Sequence, residues 1–342
     1  MPPDPRAPLR GPGLLLARIL ILGLTLSVPW GAPLAGAQSL RFGLALEGQP
    51  ETPATLGQET GLPVSLVNVF VQWPQYPEQP GQGEFPLQTA RAVAAIGATL
   101  VLTWEPMYLA EGKEHAIDAA DIVAGRYDAY IERFARAAAA WGGDAMLRFA
   151  HEMNLERYHW GGQRDAYGPA SPARYRLMFR HVVTRVRQAG ATKLRFAFCP
   201  NVESVPGPGS APPAAWNTAS AWYPGAAVVD VLGMDGYNWG TTRTRAIHGW
   251  QSRWQSFAEL FQPLRAELQT LAPDKPLYVF ETASATQGGD KAGWLREMIA
   301  TARQWGLAGV IWFQVCKEVD WRLATGVQQP DIDTLRAALT AP

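Results

Sequence analysis

From Leu40 onward, short apolar runs rich in β-branched and aromatic residues alternate with longer segments whose apolar positions recur at helical spacing. Eight strands are predicted: RFGLAL from Arg41, LVNVFVQW from Leu66, TLVLTW from Thr99, AMLRFAHEMN from Ala145, KLRFAFCPN from Lys193, VDVLGMDGYN from Val229, PLYVFETAS from Pro276 and GVIWFQV from Gly309. Helical patterns fall at residues 127–140, 173–188, 250–271 and 292–305, the second with Ser171 as N-cap and Pro172 in the first turn. Eight such units over about 300 residues suit an α/β chain folded as a (β/α)8 TIM barrel better than a doubly wound sheet. Residues 201–222, rich in Pro, Gly, Ala and Ser, read as a long loop after the fifth strand. With no visible linker, repeat or appended module, residues 38–342 are expected to form a single catalytic domain.

The N-terminus has a different pattern. Arg6, Arg10 and Arg18 precede an apolar run over residues 19–28, and Ala35-Gly36-Ala37 supplies small residues before Gln38. This is the grammar of an export signal over residues 1–37, cleaved near Ala37–Gln38, and it predicts a secreted or periplasmic mature chain. No later segment approaches the roughly 20 apolar residues of a membrane span. Formal net charge is zero, which gives no footprint for nucleic acid or an anionic membrane. No glycine-rich phosphate motif follows any strand, so no nucleotide cofactor is expected. Cys199 and Cys316 are too few for a disulfide framework and are expected to be free, mostly buried thiols. The five histidines lack metal-ligand spacing, so no metal is expected.

In a barrel of this kind the site lies at the C-terminal ends of the strands. Polar and aromatic residues gather there: Arg148, His151, Glu152 and Asn154 close the fourth strand, Asp235, Tyr237, Asn238 and Trp239 the sixth, and Glu281 the seventh. Acidic residues are depleted in strands, so a Glu closing an apolar run such as LYVF requires a reason. Strands four and seven face each other across the barrel mouth, and their two carboxyls can converge on one bond. Cleavage of a glycosidic bond with retention uses such a pair, one carboxylic acid protonating the leaving oxygen and one carboxylate attacking the anomeric carbon. If pairing stays regular, His151 and Glu152 point to opposite faces. Trp104, Glu105, Trp73 and Trp312 close or line strands and are expected to border the cleft.

Four stretches together, LRFAHEMN at 147–154, GMDGYNW at 233–239, VFETAS at 279–284 and DWR at 320–322, resemble glycoside hydrolase family 26 of clan A. The His before the first Glu is the specific mark, since most of the clan has Asn there. The resemblance implies that Glu152 is the acid/base and Glu281 the nucleophile, and that Tyr237, two residues after Asp235, hydrogen-bonds the nucleophile. It further implies that His151 contacts the sugar or tunes the carboxyls, that Trp321 and Arg322 help form the glycone subsites, and that Trp160 stands where mannan-cleaving members carry an aromatic stretch. The family's members act on β-mannan, β-1,3-xylan or β-1,3-1,4-glucan. The expected partner is therefore a polysaccharide or oligosaccharide, with β-1,4-mannan first and mixed-linkage glucan or an exopolysaccharide beside it, acted on by a monomer. A non-catalytic sugar-binding barrel is the alternative from another class, and a transglycosylase using the same intermediate a third.

Overall fold

The computed structural model describes residues 40–46, 57, 60–158, 160, 166–207, 209–212, 214–323 and 329–341. The export pattern, its cleavage position and His159 lie outside these residues.

Among the described residues the strands are, in chain order, β1 (Arg41–Ala45), β2 (Val64–Gln72), β3 (Thr99–Glu105), β4 (Met107–Ala110), β5 (Lys113–Ala116), β6 (Ala145–Phe149), β7 (Leu194–Phe198), β8 (Val231–Asn238), β9 (Leu277–Ser284) and β10 (Gly309–Phe313). Eight of them, all but β4 and β5, close into a parallel barrel in which each pairs with its neighbours in sequence and β10 pairs back onto β1. The predicted (β/α)8 architecture is the one observed, and the fourth and seventh barrel strands are β6 and β9.

Parallel strands covered on both faces read as continuous apolar runs, and β6, β9 and β10 are buried throughout. Where the interior narrows, glycine is required. A Cβ at Gly233 would lie 2.3 Å from the Phe280 ring and 2.8 Å from Cys199 Sγ. One interior level is polar instead: the registers Thr103↔Arg148 and Asp235↔Glu281 bring four such residues to the mouth from two sides.

Several boundaries differ from expectation for identifiable reasons. The helix foreseen over 250–271 begins at Phe257, because Ser256 and Glu259 form a capping box that fixes the start; residues 250–256 are left as loop. The helix Ser171–Gln188 takes in Ser171, whose hydroxyl accepts from the Gly168 N–H and caps nothing. Strands β4 and β5, which the pattern did not announce, form a hairpin turned at Glu111 and Gly112, both at positive φ. Cys199 is free and buried as expected, whereas Cys316 is free but exposed, since β10 ends at Phe313 before reaching it. No helix among the described residues is long and apolar enough to cross a membrane.

Candidate active site

The end of β6 does not continue the alternation of a strand. Beyond Phe149 the chain is pinned to both neighbours: the Ala150 N–H donates to the Trp104 carbonyl at 3.0 Å, and the Glu152 N–H donates to the Cys199 carbonyl at 2.8 Å. Between these anchors Ala150 and Glu152 adopt φ of 50° and 49°. A left-handed conformation costs a side-chain-bearing residue roughly 1–2 kcal/mol, and such strain persists where surrounding structure over-determines it. The expectation that His151 and Glu152 face opposite ways is therefore corrected. Two left-handed residues break the pleat, and both side chains line the same cleft.

That cleft, about 620 Å3 at the C-terminal mouth of the barrel, is lined by Glu152 and His151 after β6, Tyr237 and Trp239 from the end of β8, Glu281 on β9, Trp321 after β10 and Glu105 at the end of β3. The hairpin contributes Met107, Leu109 and Glu114 to one wall. Six glutamates line it against two cations, Arg157 and Lys317.

Glu281 is held by charge. Arg148, wholly buried, bonds one of its oxygens and reaches Asp235 Oδ2 at 2.5 Å and Thr103 Oγ1 at 2.7 and 2.9 Å; Thr103 in turn donates to Asn68 Oδ1 at 2.7 Å. Tyr237 donates its hydroxyl to the other Glu281 oxygen at 2.5 Å. Burial, then the neighbouring Glu281 charge, pushes the Tyr237 hydroxyl well above its ordinary range, so it remains a donor. These are the donors that stabilise a charged carboxylate.

Glu152 has the opposite setting. Burial first and the Glu281 charge second push its carboxyl up to about 7, opposed by the Asn201 Nδ2–H bond to its Oε1 at 2.6 Å. His151 is kept neutral by burial and by Arg148, both of which lower it well below the usual imidazole range. Its Nδ1 has no hydrogen-bond partner, and the ring packs near Phe70, Tyr158 and Trp160. Glu105, a third carboxyl in the cleft, is pushed up to about 7 by burial despite accepting from Gln72 Nε2 at 2.6 Å. His151, Asp235 and Glu281 offer atoms within 4.8 Å of one another, a spacing a cation could bridge, and the Arg148 guanidinium already bonds both acidic side chains.

Several residues expected in the cleft lie behind it. Trp104 is buried against Phe134, Tyr130 and Trp73, itself buried, because the ring turns outward from β3 toward the helix Asp128–Trp141. Trp160 and Trp312 are also fully buried, yet each supports the site: their indole N–H groups donate to the carbonyls of His151 (2.7 Å) and Trp321 (2.9 Å). Asn154 is buried and clamps Asn201, donating to its carbonyl and accepting from its N–H, both at 2.9 Å. Arg322 does not line the cleft but pairs with Asp320 at 2.8 Å at the surface. Asn201, Tyr158 and Trp250 line it without having been foreseen, although Asn201 closes KLRFAFCPN just as Glu152 follows its own strand.

Residues 130–259 match the model of Glycosyl hydrolase family 26. Endoglucanase H of Acetivibrio thermocellus is 32% identical over 318 residues, which cover 90% of this chain and 32% of that protein. The chain belongs to glycoside hydrolase family 26. It spans about a third of the length of this relative. A GH26 beta-mannanase from Bacteroides ovatus shares the fold with a TM-score of 0.63 at 17% identity, covering 89% of each chain. A Bacillus subtilis mannanase does so at 0.59 and 14%, covering 87% of this chain and 86% of its own. The matched segment of this family 26 chain contains Glu152 and ends before Glu281, which the β8–β9 register sets opposite Asp235.

Proposed function

We propose that the chain is an endo-acting glycosidase that hydrolyses a neutral β-linked polysaccharide with retention, using Glu152 as acid/base and Glu281 as nucleophile. The observation that carries this reading is two carboxyls in one cleft with contrasting surroundings. Glu152 is buried and raised to about 7, so it holds a proton near neutrality; Glu281 is clasped by Arg148 and Tyr237. Glu152 gives its proton to the glycosidic oxygen as Glu281 attacks the anomeric carbon, forming a glycosyl ester and freeing the leaving chain. Glu152, now a carboxylate, takes a proton from water, whose oxygen displaces Glu281 at the same carbon. Neutral His151 contributes no charge and is available to a sugar hydroxyl.

The acidic lining disfavours polyuronates and supports an uncharged chain. Among neutral polymers we favour a β-glucan over β-mannan. The relative named an endoglucanase is 32% identical, whereas the mannanases share the fold at 14–17%. The N-terminal pattern supports action outside the cytoplasmic membrane. Product release from lichenan, barley β-glucan, mannan, β-1,3-xylan and curdlan tests the substrate, and no release from any of them overturns the reading. Proton NMR of the first reducing end tests the stereochemistry: β is expected, and an initial α product excludes retention. N-terminal sequencing of the exported protein is expected to begin at Gln38.

A further inference from the structure

An aromatic path leads out of the cleft from the proposed nucleophile. Tyr237, bonded to Glu281, lies 5.2 Å from the Trp321 ring, Trp321 lies 5.0 Å from Trp239, and Trp239 lies 5.6 Å from Trp250. Each step is close to the size of one pyranose ring. Exposure grows along the path: Trp321 is 1% exposed, Trp239 half-buried and Trp250 40% exposed, while still lining the cleft.

A large aromatic ring left so open gives up part of the stabilisation that burial brings, so the loop that carries it needs its own fastening. The loop has one. The Arg243 N–H donates to Ser252 Oγ at 3.0 Å, the Ser252 N–H returns to the Arg243 carbonyl at 3.2 Å, and Gln251 Nε2 joins the same carbonyl at 2.9 Å. Gly249, at φ 77°, ends the short helix Arg245–His248 and directs the chain into Trp250. The Arg243 guanidinium lies 4.7 Å over the Trp239 ring, and Trp239 meets Trp250 edge to face at 85°. Trp239 is thus a spacer held from one side, and Trp250 is the ring presented to solvent at the end of the path. Preorganisation of this kind removes the ordering cost a ligand otherwise bears.

We propose that Trp250 is a distal platform for a sugar ring of the same neutral β-linked chain, several residues from the bond being cut, and that it makes the protein read substrate length. The inference rests on the proposed glycosidase reading, and affinity separates the two. Apolar sugar faces stacked on an indole are expected to contribute about a tenfold effect, equivalent to about 1.4 kcal/mol.

The test uses a ladder of mixed-linkage β-glucan oligosaccharides and a second of β-1,4-mannan, from three to seven sugars. The ratio of kcat/KM for the longest to the shortest substrate should fall about tenfold in Trp250→Ala and recover in large part in Trp250→Phe, with unchanged melting temperatures. Calorimetry in a Glu281→Gln background should show the dissociation constant of the heptasaccharide rising by the same factor when Trp250→Ala is added. That measurement requires no turnover, so it judges the platform even if the protein hydrolyses neither ladder. A ratio left unchanged, an equal loss at every length, or no heptasaccharide binding in the Glu281→Gln protein overturns the proposal.

Discussion

Asn201 Nδ2 stands 2.6 Å from Glu152 Oε1, and the Asn201 backbone is itself clamped by the side chain of Asn154. This amide is the neutral brake on an otherwise upward shift, since burial and the Glu281 charge raise the Glu152 carboxyl and the Asn201 bond lowers it. A group raised above its ordinary value holds its proton below that raised value, so the acid form of Glu152 is present below about pH 7 and is lost above it. Activity should fall as pH rises through about 7. Asn201→Ala removes the brake, and the descending limb of the kcat/KM profile should move to higher pH, which pH–rate measurement on the polymer checks. A limb unmoved or moved downward would sink the assignment of Glu152 as the acid.

The two carboxyls should fail differently. Glu281→Ala removes the attacking group and should cost at least roughly 10^4-fold in kcat on every substrate, about 5.4 kcal/mol of barrier. Glu152→Ala should cost about 10^2–10^4-fold on polymer but far less on an aryl glycoside, whose leaving group departs without a proton. Kinetics on dinitrophenyl glycosides against polymer separate the cases. Equal sensitivity to leaving group in both variants contradicts the roles.

Arg148 should matter for stability as much as for turnover. It is wholly buried between Asp235 and Glu281, and removing one partner of such a cluster costs about 3–5 kcal/mol. Arg148→Met leaves buried carboxylates without a cation. Burial already pushes Asp235 up, and without Arg148 it rises further. The native state then binds more protons than the unfolded chain, so the variant's stability should rise as pH falls from 7 toward 5. Urea unfolding at several pH values measures this, and a deficit that widens on acidification would be incompatible.

Trp104→Ala should behave as a core deletion. With its ring against Phe134, Tyr130 and Trp73, a loss of about 3–5 kcal/mol is expected in denaturant unfolding. Its preference among substrate lengths should match the parent protein. A stable variant with altered length preference would return Trp104 to the cleft.

The pattern of the chain announced the barrel because each buried strand is a compact apolar run, and placing Glu152 and Glu281 at strand ends was enough to pair them. It announced less well which side of a strand end a ring takes. Trp104 and Trp312 sit in runs apolar on both faces, where alternation carries no information, and both proved to be packed outside the cleft. His151 was misdirected for a different reason: positive φ at Ala150 and Glu152 is set by hydrogen bonds to Trp104 on β3 and to Cys199 just after β7, and such long-range pins leave no mark in local sequence. The position of Trp250 was partly legible, since Ser256 and Glu259 spell a capping box that starts the helix at Phe257 and leaves Trp250 in the loop before it.

Arg148 and Glu152 come from a single segment only four positions apart, one bonding the proposed nucleophile and the other serving as its proposed partner. The two halves of the chemistry are consequently inherited together. A slip of one residue in β6 would turn the guanidinium out of the barrel and move the acid in the same event. Single losses at Arg148, Glu152 and Glu281 should therefore not add: once one is gone, removing a second should cost little more, as in a lock whose tumblers share one spring.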